Sequence, residues 1–206
     1  MSVLKQLVFT PRCVICSRLG VEFCVTCLNT VKSFRARDLT ELEACFCAGE
    51  YSGWLRDSVI CYKNGDARYT EILSQLLVNT FARFFGSNDL TLIPIPSSQQ
   101  KVKDRGFDSV ANLCDRFARD KKIIKLDDST LFLRRQVADQ VGLSAAQRHS
   151  NLDGAFGVRR TLNGMVVVVD DVITTGATLN SAAKVLKLAG AQRVFALALC
   201  GTPKTR

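Results

Sequence analysis

The stretch VVVVDDVITTGAT, residues 166–178, joins four consecutive valines to two adjacent aspartates and a small, hydroxyl-rich loop. Four β-branched apolar residues in a row are typical of a strand that is buried on both faces of a parallel sheet. Asp170 and Asp171 then stand at the end of this strand, where the sheet meets solvent and a carboxylate keeps its charge. Adjacent carboxylates at such an edge accept hydrogen bonds from a vicinal diol or lie near a divalent cation.

The loop after the two aspartates has the composition of an anion-binding loop and leads into the helical pattern TLNSAAKVLKLAG. Glycine permits unusual backbone angles, small side chains let a ligand approach, and amides at a helix start point toward an anion. The loop residues are Thr174, Thr175, Gly176, Ala177 and Thr178. A diol-binding pair followed by a phosphate cradle predicts a ribose 5-phosphate site. The alternative is an ordinary strand that ends in acids before a capped helix.

Strand and helix patterns alternate through most of the chain. Apolar runs predict strands at ACFCAGEYS, LTLIPIP, LFLR, MVVVVD and RVFALALC, and helical periodicity predicts helices at YTEILSQLLVNTFARFF, SVANLCDRFA and TLNSAAKVLKLAG. We expect Asp108 to cap the second of these helices. The alternation predicts an α/β fold with a mostly parallel sheet flanked by helices, and ligands bind such sheets beyond the carboxyl ends of the strands.

Two Cys-x-x-Cys pairs lie close together in CVICSRLGVEFCVTC, residues 13–27. Each pair lets two thiolates from one tight turn bind the same ion, and the short spacing brings both turns around one tetrahedral centre. Four sulfurs leave no open coordination position, so we predict a structural Zn²⁺ site, with a redox pair as the alternative. The ligands are Cys13, Cys16, Cys24 and Cys27. The remaining cysteines, at positions 45, 47, 61, 114 and 200, lie in apolar patterns and are expected to be small buried hydrophobic residues.

Composition limits the class of protein. The chain has 206 residues, of which 47% are hydrophobic and 23% charged, and its apolar runs are shorter than the roughly 18 residues that span a bilayer. The N-terminus lacks the pattern of a signal peptide, so we expect a cytoplasmic protein, with any association with the inner membrane made through protein partners. A net charge of +9 favours contact with a polyanion such as single-stranded DNA; a solvated basic surface is the alternative. We assign residues 1–42 to the zinc-binding segment and its connector, and residues 43–206 to the α/β domain.

The motif at residues 166–178 resembles the phosphoribosyl pyrophosphate signature of type I phosphoribosyltransferases. Four other segments extend the resemblance over nearly the whole chain: the four-cysteine segment, YKNGD (62–66), PIPSSQQKVKDRGFD (94–108) and QVGLSAAQRHSNLDGAF (140–156). Together they are similar to the ComF/GntX-like branch, whose competence members take part in DNA uptake during natural transformation. The resemblance implies a type I phosphoribosyltransferase-like fold that binds phosphoribosyl pyrophosphate with Mg²⁺.

The resemblance also implies roles for individual residues. Residues 94–108 correspond to the pyrophosphate loop, and residues 134–151 to the hood segment that covers the reaction centre; a basic surface loop is the alternative for the first. Asp170, Asp171 and Arg105 are the expected catalytic residues, which fix the ribose and neutralise the leaving group. The expected ligand contacts, besides the threonine loop, are Ser97, Ser98, Lys101, Lys103, Lys63, Arg135, Gln140 and Arg148.

Two functions remain open at this point. The first is a ComF-type competence protein that binds single-stranded DNA and phosphoribosyl pyrophosphate and works with protein partners of the DNA-uptake machinery. The second is an active phosphoribosyltransferase that acts on an unidentified nitrogenous acceptor. His149 is the only histidine in the sequence and is either a general acid or base or a solvated loop residue. Phe23 is the only aromatic residue between the first and last zinc cysteines, which argues against a stacking platform for DNA bases there.

Overall fold

The computed structural model describes residues 10–86, 90–120, 125–134 and 154–203. The chain divides into two compact units, Met1–Lys32 and Ser33–Arg206. The smaller unit carries the four predicted zinc ligands and a short helix, α1 (Val25–Leu28). Residues 33–42, which the sequence places with the zinc-binding segment, cluster with the larger unit.

The larger unit is an α/β structure. Its described strands are β1 (Phe34–Arg35), β2 (Ala44–Glu50), β3 (Leu90–Pro94), β4 (Lys125–Leu126), β5 (Leu131–Leu133), β6 (Phe156–Val158), β7 (Met165–Ile173) and β8 (Arg193–Gly201). Within the described residues, one sheet has the strand order β1-β2-β8-β7-β3-β4, and every neighbouring pair in it is parallel except β1 and β2. The predicted mostly parallel sheet is therefore confirmed. Strands β5 and β6 form a separate antiparallel pair.

Helices lie on both faces of the sheet. In the described part of the larger unit they are α2 (Gly53–Lys63), α3 (Tyr69–Phe85), α4 (Gln99–Arg105), α5 (Ser109–Asp120) and α6 (Ala177–Leu188). Helices α3, α5 and α6 follow the apolar periodicity of the sequence, which predicts them. The sequence analysis does not predict α2 and α4. Helix α4 buries no residue, so it carries no apolar stripe from which a helical period can be read.

The four valines of β7 are the centre of the core. Val166, Val167, Val168 and Val169 are fully buried, and Val166 and Val168 share one hydrophobic cluster with the apolar face of α6. On the other face, Phe85 of α3 contacts Phe195 of β8 edge to face, with ring centroids 5.4 Å apart. The non-zinc cysteines behave largely as predicted, because those at 45, 47, 114 and 200 are buried; the one at 61 is partly exposed.

Strand β7 extends beyond the end of β3, and this extension carries the two aspartates. Strand β7 pairs with β3 only as far as Val169, which lies opposite Pro94, but continues to pair with β8 as far as Ile173, opposite Gly201. The strand thus runs three residues beyond the predicted end at Asp170, because its pairing with β8 continues after β3 has stopped. Along this extension β7 has a neighbour on one side, and the other side opens at the carboxyl end of β3.

Strands β5 and β6 flank the segment that the resemblance assigns to the hood. Arg135, Gln140, Arg148 and His149 lie outside the described residues. None of the helices in the described ranges is long and apolar enough to cross a membrane.

Candidate functional site

A crevice of about 210 Å³ opens at the carboxyl ends of β3 and β7. It brings together three motifs that are far apart in the sequence: YKNGD, the segment that follows β3, and the aspartate pair of β7. Its polar lining residues are Lys63, Ser97, Ser98, Lys101, Arg105, Asp170, Asp171 and Thr178. Its location agrees with the general rule for ligand sites in parallel sheets.

The two aspartates have different environments. The Oδ2 atom of Asp171 lies 2.8 Å from Nζ of Lys63, and the exposed fractions of these side chains are 14% and 28%. Asp170 accepts a hydrogen bond from the amide of Asp171 at 2.8 Å. Burial, reinforced by the neighbouring charge of Asp171, raises the pKa of Asp170 to about 7. Asp170 is only partly buried and lines both cavities, so the expectation that both acids keep their charge at the edge of the sheet stays a prediction for this residue.

Lys63 reaches the crevice from the C-terminal end of α2. Tyr62 and Lys63 of the YKNGD motif form the last residues of the helix, and Asn64 caps it. Gly65 adopts a left-handed conformation with φ 96°, and its amide donates to the carbonyl of Tyr62 at 3.0 Å. A cation at this position is favoured by the helix dipole. The motif thus ends the helix where its lysine meets Asp171.

The segment after β3 is a helix and not a loop. Ser98 caps α4 by accepting a hydrogen bond from the amide of Lys101 at 3.4 Å, and Gly106 ends the helix with φ 82°. Lys101 and Arg105 are four residues apart, so they lie on one helix face, and both line the crevice. Lys103 lies between them in the sequence, is exposed, and is not among the residues that line the crevice. The role predicted for Lys103 stays a prediction.

Asp108 fixes the end of β3 to the start of α5. Its Oδ1 atom accepts hydrogen bonds from the amides of Val110 and Ala111 at 3.0 and 3.1 Å, which confirms the predicted cap. Its Oδ2 atom accepts a hydrogen bond from the amide of Ser97 at 2.8 Å. The second contact has no local sequence signal. It holds Ser97 at the crevice.

The threonine loop forms a second, smaller cavity of about 40 Å³ that it shares with Asp170. Gly176 has φ 78°, and a Cβ atom added there would lie 2.6 Å from the side chain of Leu39. Thr175 accepts a hydrogen bond from the amide of Ala177 at 3.3 Å. Because Gly176 caps α6 without a side chain, the start of this helix keeps the character of an anion site. The anion-binding role expected for the loop stays a prediction.

Strands β5 and β6 supply an apolar wall. Leu133 and Phe156 line the crevice together with Ile95 and Val110. Below them, the buried Asp127 accepts hydrogen bonds from Thr130 and forms an ion pair with Arg160. The sequence analysis does not predict this wall, because neither strand carries a motif that points to a ligand.

In the smaller unit, the four predicted zinc ligands converge. Their Sγ atoms all lie within 4.8 Å of one another; Cys13 and Cys27 are 4.0 Å apart, and Cys16 and Cys24 are 3.6 Å apart. A tetrahedral ion with metal–sulfur bonds of about 2.3 Å requires sulfur atoms about 3.8 Å apart. Burial, together with the neighbouring sulfurs, raises the pKa of Cys27 to about 12, and a divalent cation would remove that obstacle to ionisation. The cluster fits a metal ion such as Zn²⁺.

Residues 123–206 match the sequence profile of the family described as "Phosphoribosyl transferase domain". The match contains β7, the aspartate pair and the threonine loop. Together with the parallel sheet and the crevice at its carboxyl edge, it defines the class as a phosphoribosyltransferase-like α/β protein with a cluster of four cysteines near its N-terminus.

Curated relatives narrow the class. The chain is 35% identical to "DNA utilization protein YhgH" of Escherichia coli O157:H7 over 112 residues, which cover 54% of this chain and 49% of the relative. It is 33% identical to "Competence protein F" of Haemophilus influenzae over 107 residues, 50% of this chain and 46% of the relative. It is 24% identical to "Competence protein ComFC" of Bacillus subtilis over 139 residues, 66% of this chain and 55% of the relative.

The chain thus spans about half the length of the curated relatives it matches. The relatives' names and the phosphoribosyl transferase domain confirm the resemblance to ComF-type, phosphoribosyltransferase-like proteins that the sequence motifs indicate.

Proposed function

We propose that this chain is a ComF-type competence protein that supports DNA uptake in natural transformation and binds phosphoribosyl pyrophosphate in the crevice of β3 and β7. The relatives named for competence and DNA utilization support the cellular role. The observation that carries the ligand proposal is the meeting of two carboxyl groups and three cationic side chains in one crevice, beside an open threonine loop.

The crevice provides a partner for each part of this ligand. Asp170 and Asp171 accept hydrogen bonds from the ribose hydroxyl groups. The 5-phosphate lies against the threonine loop at the start of α6, where amides and hydroxyl groups are donors. The pyrophosphate group is neutralised by Lys63, Lys101 and Arg105, while Mg²⁺ bound with the ligand supplies further positive charge and is held mainly by ligand oxygens and water.

Ligand binding exchanges partners within the crevice. Lys63 is paired with Asp171. A pyrophosphate group attracts Lys63, and a ribose hydroxyl group replaces it at the carboxylate. The ion pair keeps both side chains in place and prevents an uncompensated charge in a partly buried site.

Fragments of the ligand test this arrangement. Ribose 5-phosphate and inorganic pyrophosphate should each compete with phosphoribosyl pyrophosphate for the crevice, because they occupy different halves of it. Asp171→Asn should weaken the binding of ribose 5-phosphate more than that of inorganic pyrophosphate. Lys101→Ala should weaken the binding of pyrophosphate more than that of ribose 5-phosphate. Equal effects of both variants on both fragments, measured by competition calorimetry, would contradict this placement.

Binding of single-stranded DNA is the second part of the proposal, and the net charge of +9 supports it. Contacts to phosphates release counterions, so affinity for a single-stranded oligonucleotide should fall steeply with salt, by roughly 300-fold or more between 50 and 200 mM for six or more contacts. Fluorescence anisotropy with a labelled single strand measures this. An affinity that does not change over that range would exclude a surface that follows the phosphates.

The second candidate function is catalysis, in which a nitrogen nucleophile attacks the anomeric carbon as pyrophosphate leaves. Two observations favour it: the apolar wall leaves a surface for an acceptor beside the cations, and a carboxyl group with a pKa near 7 suits proton transfer. Pyrophosphate release from the purified protein, with and without DNA or candidate bases, separates the two functions. Release of pyrophosphate only with an acceptor supports the enzyme. Tight binding without release supports a competence protein that binds phosphoribosyl pyrophosphate as a regulator.

A further inference from the structure

Tyr62 lies beside the crevice, and its hydroxyl group joins α2 to α5, with Thr70 of α3 as a further hydrogen-bond partner. Its side chain is 1% exposed. The hydroxyl donates a hydrogen bond to the carbonyl of Ser109 at 2.9 Å and accepts one from the side-chain amide of Asn112 at 3.0 Å. Tyr62 is in the last turn of α2, and both partners are in the first turn of α5. Burial raises the pKa of Tyr62 to about 12, so the phenol remains a donor at neutral pH.

Both ends of this link are next to a cation of the crevice. On α2, the residue after Tyr62 is Lys63, whose Nζ atom lies 2.8 Å from Asp171. On α5, the hydroxyl group of Ser109 accepts a hydrogen bond from the guanidinium of Arg105 at 3.4 Å. The hydroxyl of Tyr62 therefore links the end of α2, which carries Lys63, to the serine whose hydroxyl group receives the side chain of Arg105.

A buried tyrosine hydroxyl commonly finds a partner for reasons of stability alone. That need would be met by one acceptor anywhere on α5. Here the bond partners are in the turn that also receives Arg105, and Asp108, which begins that turn, holds the amide of Ser97 at 2.8 Å. Tyr62, Ser109 and Asp108 are thus next to, or bonded to, the three residues Lys63, Arg105 and Ser97 on the wall of the crevice.

We propose that Tyr62 is a positioning residue: because its hydroxyl group ties the end of α2 to the start of α5, it holds Lys63 against Asp171 on the wall of the crevice. The ligand in this inference is the one given by the proposed function of the same crevice. The contact between Lys63 and Asp171 does not depend on that ligand. Each part has its own measurement.

The first measurement needs no ligand. Lys63→Met and Asp171→Asn, alone and combined, give the coupling between the two side chains in unfolding experiments on the full chain. The same double-mutant cycle in the Tyr62→Phe background, which keeps the ring and removes the hydroxyl, should give a coupling free energy that is at least severalfold smaller. Thr80→Val is the matched control, because the buried Thr80 hydroxyl donates to the carbonyl of Leu76 at 2.7 Å within α3. It removes a buried hydroxyl away from the crevice and should leave the coupling unchanged.

The second measurement uses phosphoribosyl pyrophosphate with Mg²⁺ in calorimetry. Tyr62→Phe should weaken binding by about three- to tenfold, the effect of losing roughly one hydrogen bond. It should cause no further loss in the Lys63→Met variant, since it acts through that lysine. Thr80→Val should not change the affinity.

The outcomes separate the inference from the proposed function. A Lys63–Asp171 coupling that survives Tyr62→Phe, or an affinity loss that is the same with and without Lys63, would overturn the positioning role. If the wild-type chain binds no phosphoribosyl pyrophosphate, the proposed function fails, and the coupling measurement alone decides the role of Tyr62.

Discussion

At the residue scale, Asp170 and Asp171 are neighbours on one strand with different charge behaviour. Asp171 faces Lys63 at 2.8 Å, whereas burial raises the pKa of Asp170 to about 7. A carboxyl group of this kind is a hydrogen-bond acceptor above neutral pH and also a donor below it. The site therefore combines a paired carboxylate with a carboxyl group that titrates in the physiological range.

The raised pKa of Asp170 gives a pH dependence of stability with a definite sign. Between the ordinary carboxyl range near pH 4 and about pH 7, the folded state keeps a proton that the unfolded chain has lost. The contribution of this group to the free energy of unfolding therefore falls as the pH rises, by up to about 1.4 kcal/mol per pH unit. Asp170→Asn removes this dependence, so wild type should lose stability relative to the variant from pH 5 to pH 7.

Denaturant unfolding at several pH values measures the difference. Asp57→Asn is the control, because that carboxylate is 70% exposed on α2 and should leave the pH profile unchanged. Parallel profiles for wild type and Asp170→Asn would mean that Asp170 ionises like an ordinary carboxyl group.

Gly176 gives a second prediction at this scale. Gly176→Ala places a Cβ atom 2.6 Å from the side chain of Leu39 in a left-handed backbone conformation, so it should cost about 1–3 kcal/mol of stability. Gly164→Ala is the matched control, since Gly164 has φ 79° with nothing within 4 Å of the added atom. Gly164→Ala should lose only the stability that the left-handed backbone conformation costs a non-glycine residue. Leu39→Ala should partly restore the stability of the Gly176→Ala variant. Equal losses for the two glycine variants in thermal unfolding would contradict the contact.

At the scale of elements, the position of each cationic residue on α4 decides whether it lines the crevice. Lys101 and Arg105 line the crevice, and Lys103 is exposed between them. Lys101→Ala should weaken phosphoribosyl pyrophosphate by about tenfold, the typical scale of a charge-assisted hydrogen bond. Lys103→Ala removes the same charge from the exposed side of the same helix and tests the role predicted for Lys103; we expect a smaller loss than for Lys101→Ala. Similar losses in calorimetry would mean that the segment acts as a flexible basic loop.

The same elements mark what can be predicted from sequence. Strand β7 and helix α6 follow from continuous apolar residues and from apolar periodicity, and the composition of the loop between them predicts an anion-binding role. The helical form of α4 does not, because its exposed residues carry no apolar period. The extension of β7 to Ile173 depends on pairing with β8, and the Lys63–Asp171 pair depends on the packing of α2. Both are non-local, and no pattern within one segment encodes them.

At the scale of the whole molecule, the two compact units have different sources of stability. The larger unit has a core built around β7, whereas the described core of the smaller unit centres on three buried cysteines. A unit of this size has little apolar surface to bury, so a metal ion held by the cysteine cluster would supply much of its stability. We expect one Zn²⁺ per chain, lost with Cys13→Ser or Cys24→Ser, while Cys61→Ser outside the cluster retains it. Elemental analysis measures this, and a chain purified without any metal would contradict the prediction.

The central claim is that the carboxyl edge of β3 and β7 binds a ribose that carries a 5-phosphate. Calorimetric titration of the full chain with phosphoribosyl pyrophosphate and Mg²⁺ tests it most directly, with wild type compared against the Asp170→Ala, Asp171→Ala double variant. We expect saturable binding with wild type and none with the double variant. An affinity that is the same for both proteins would contradict the claim.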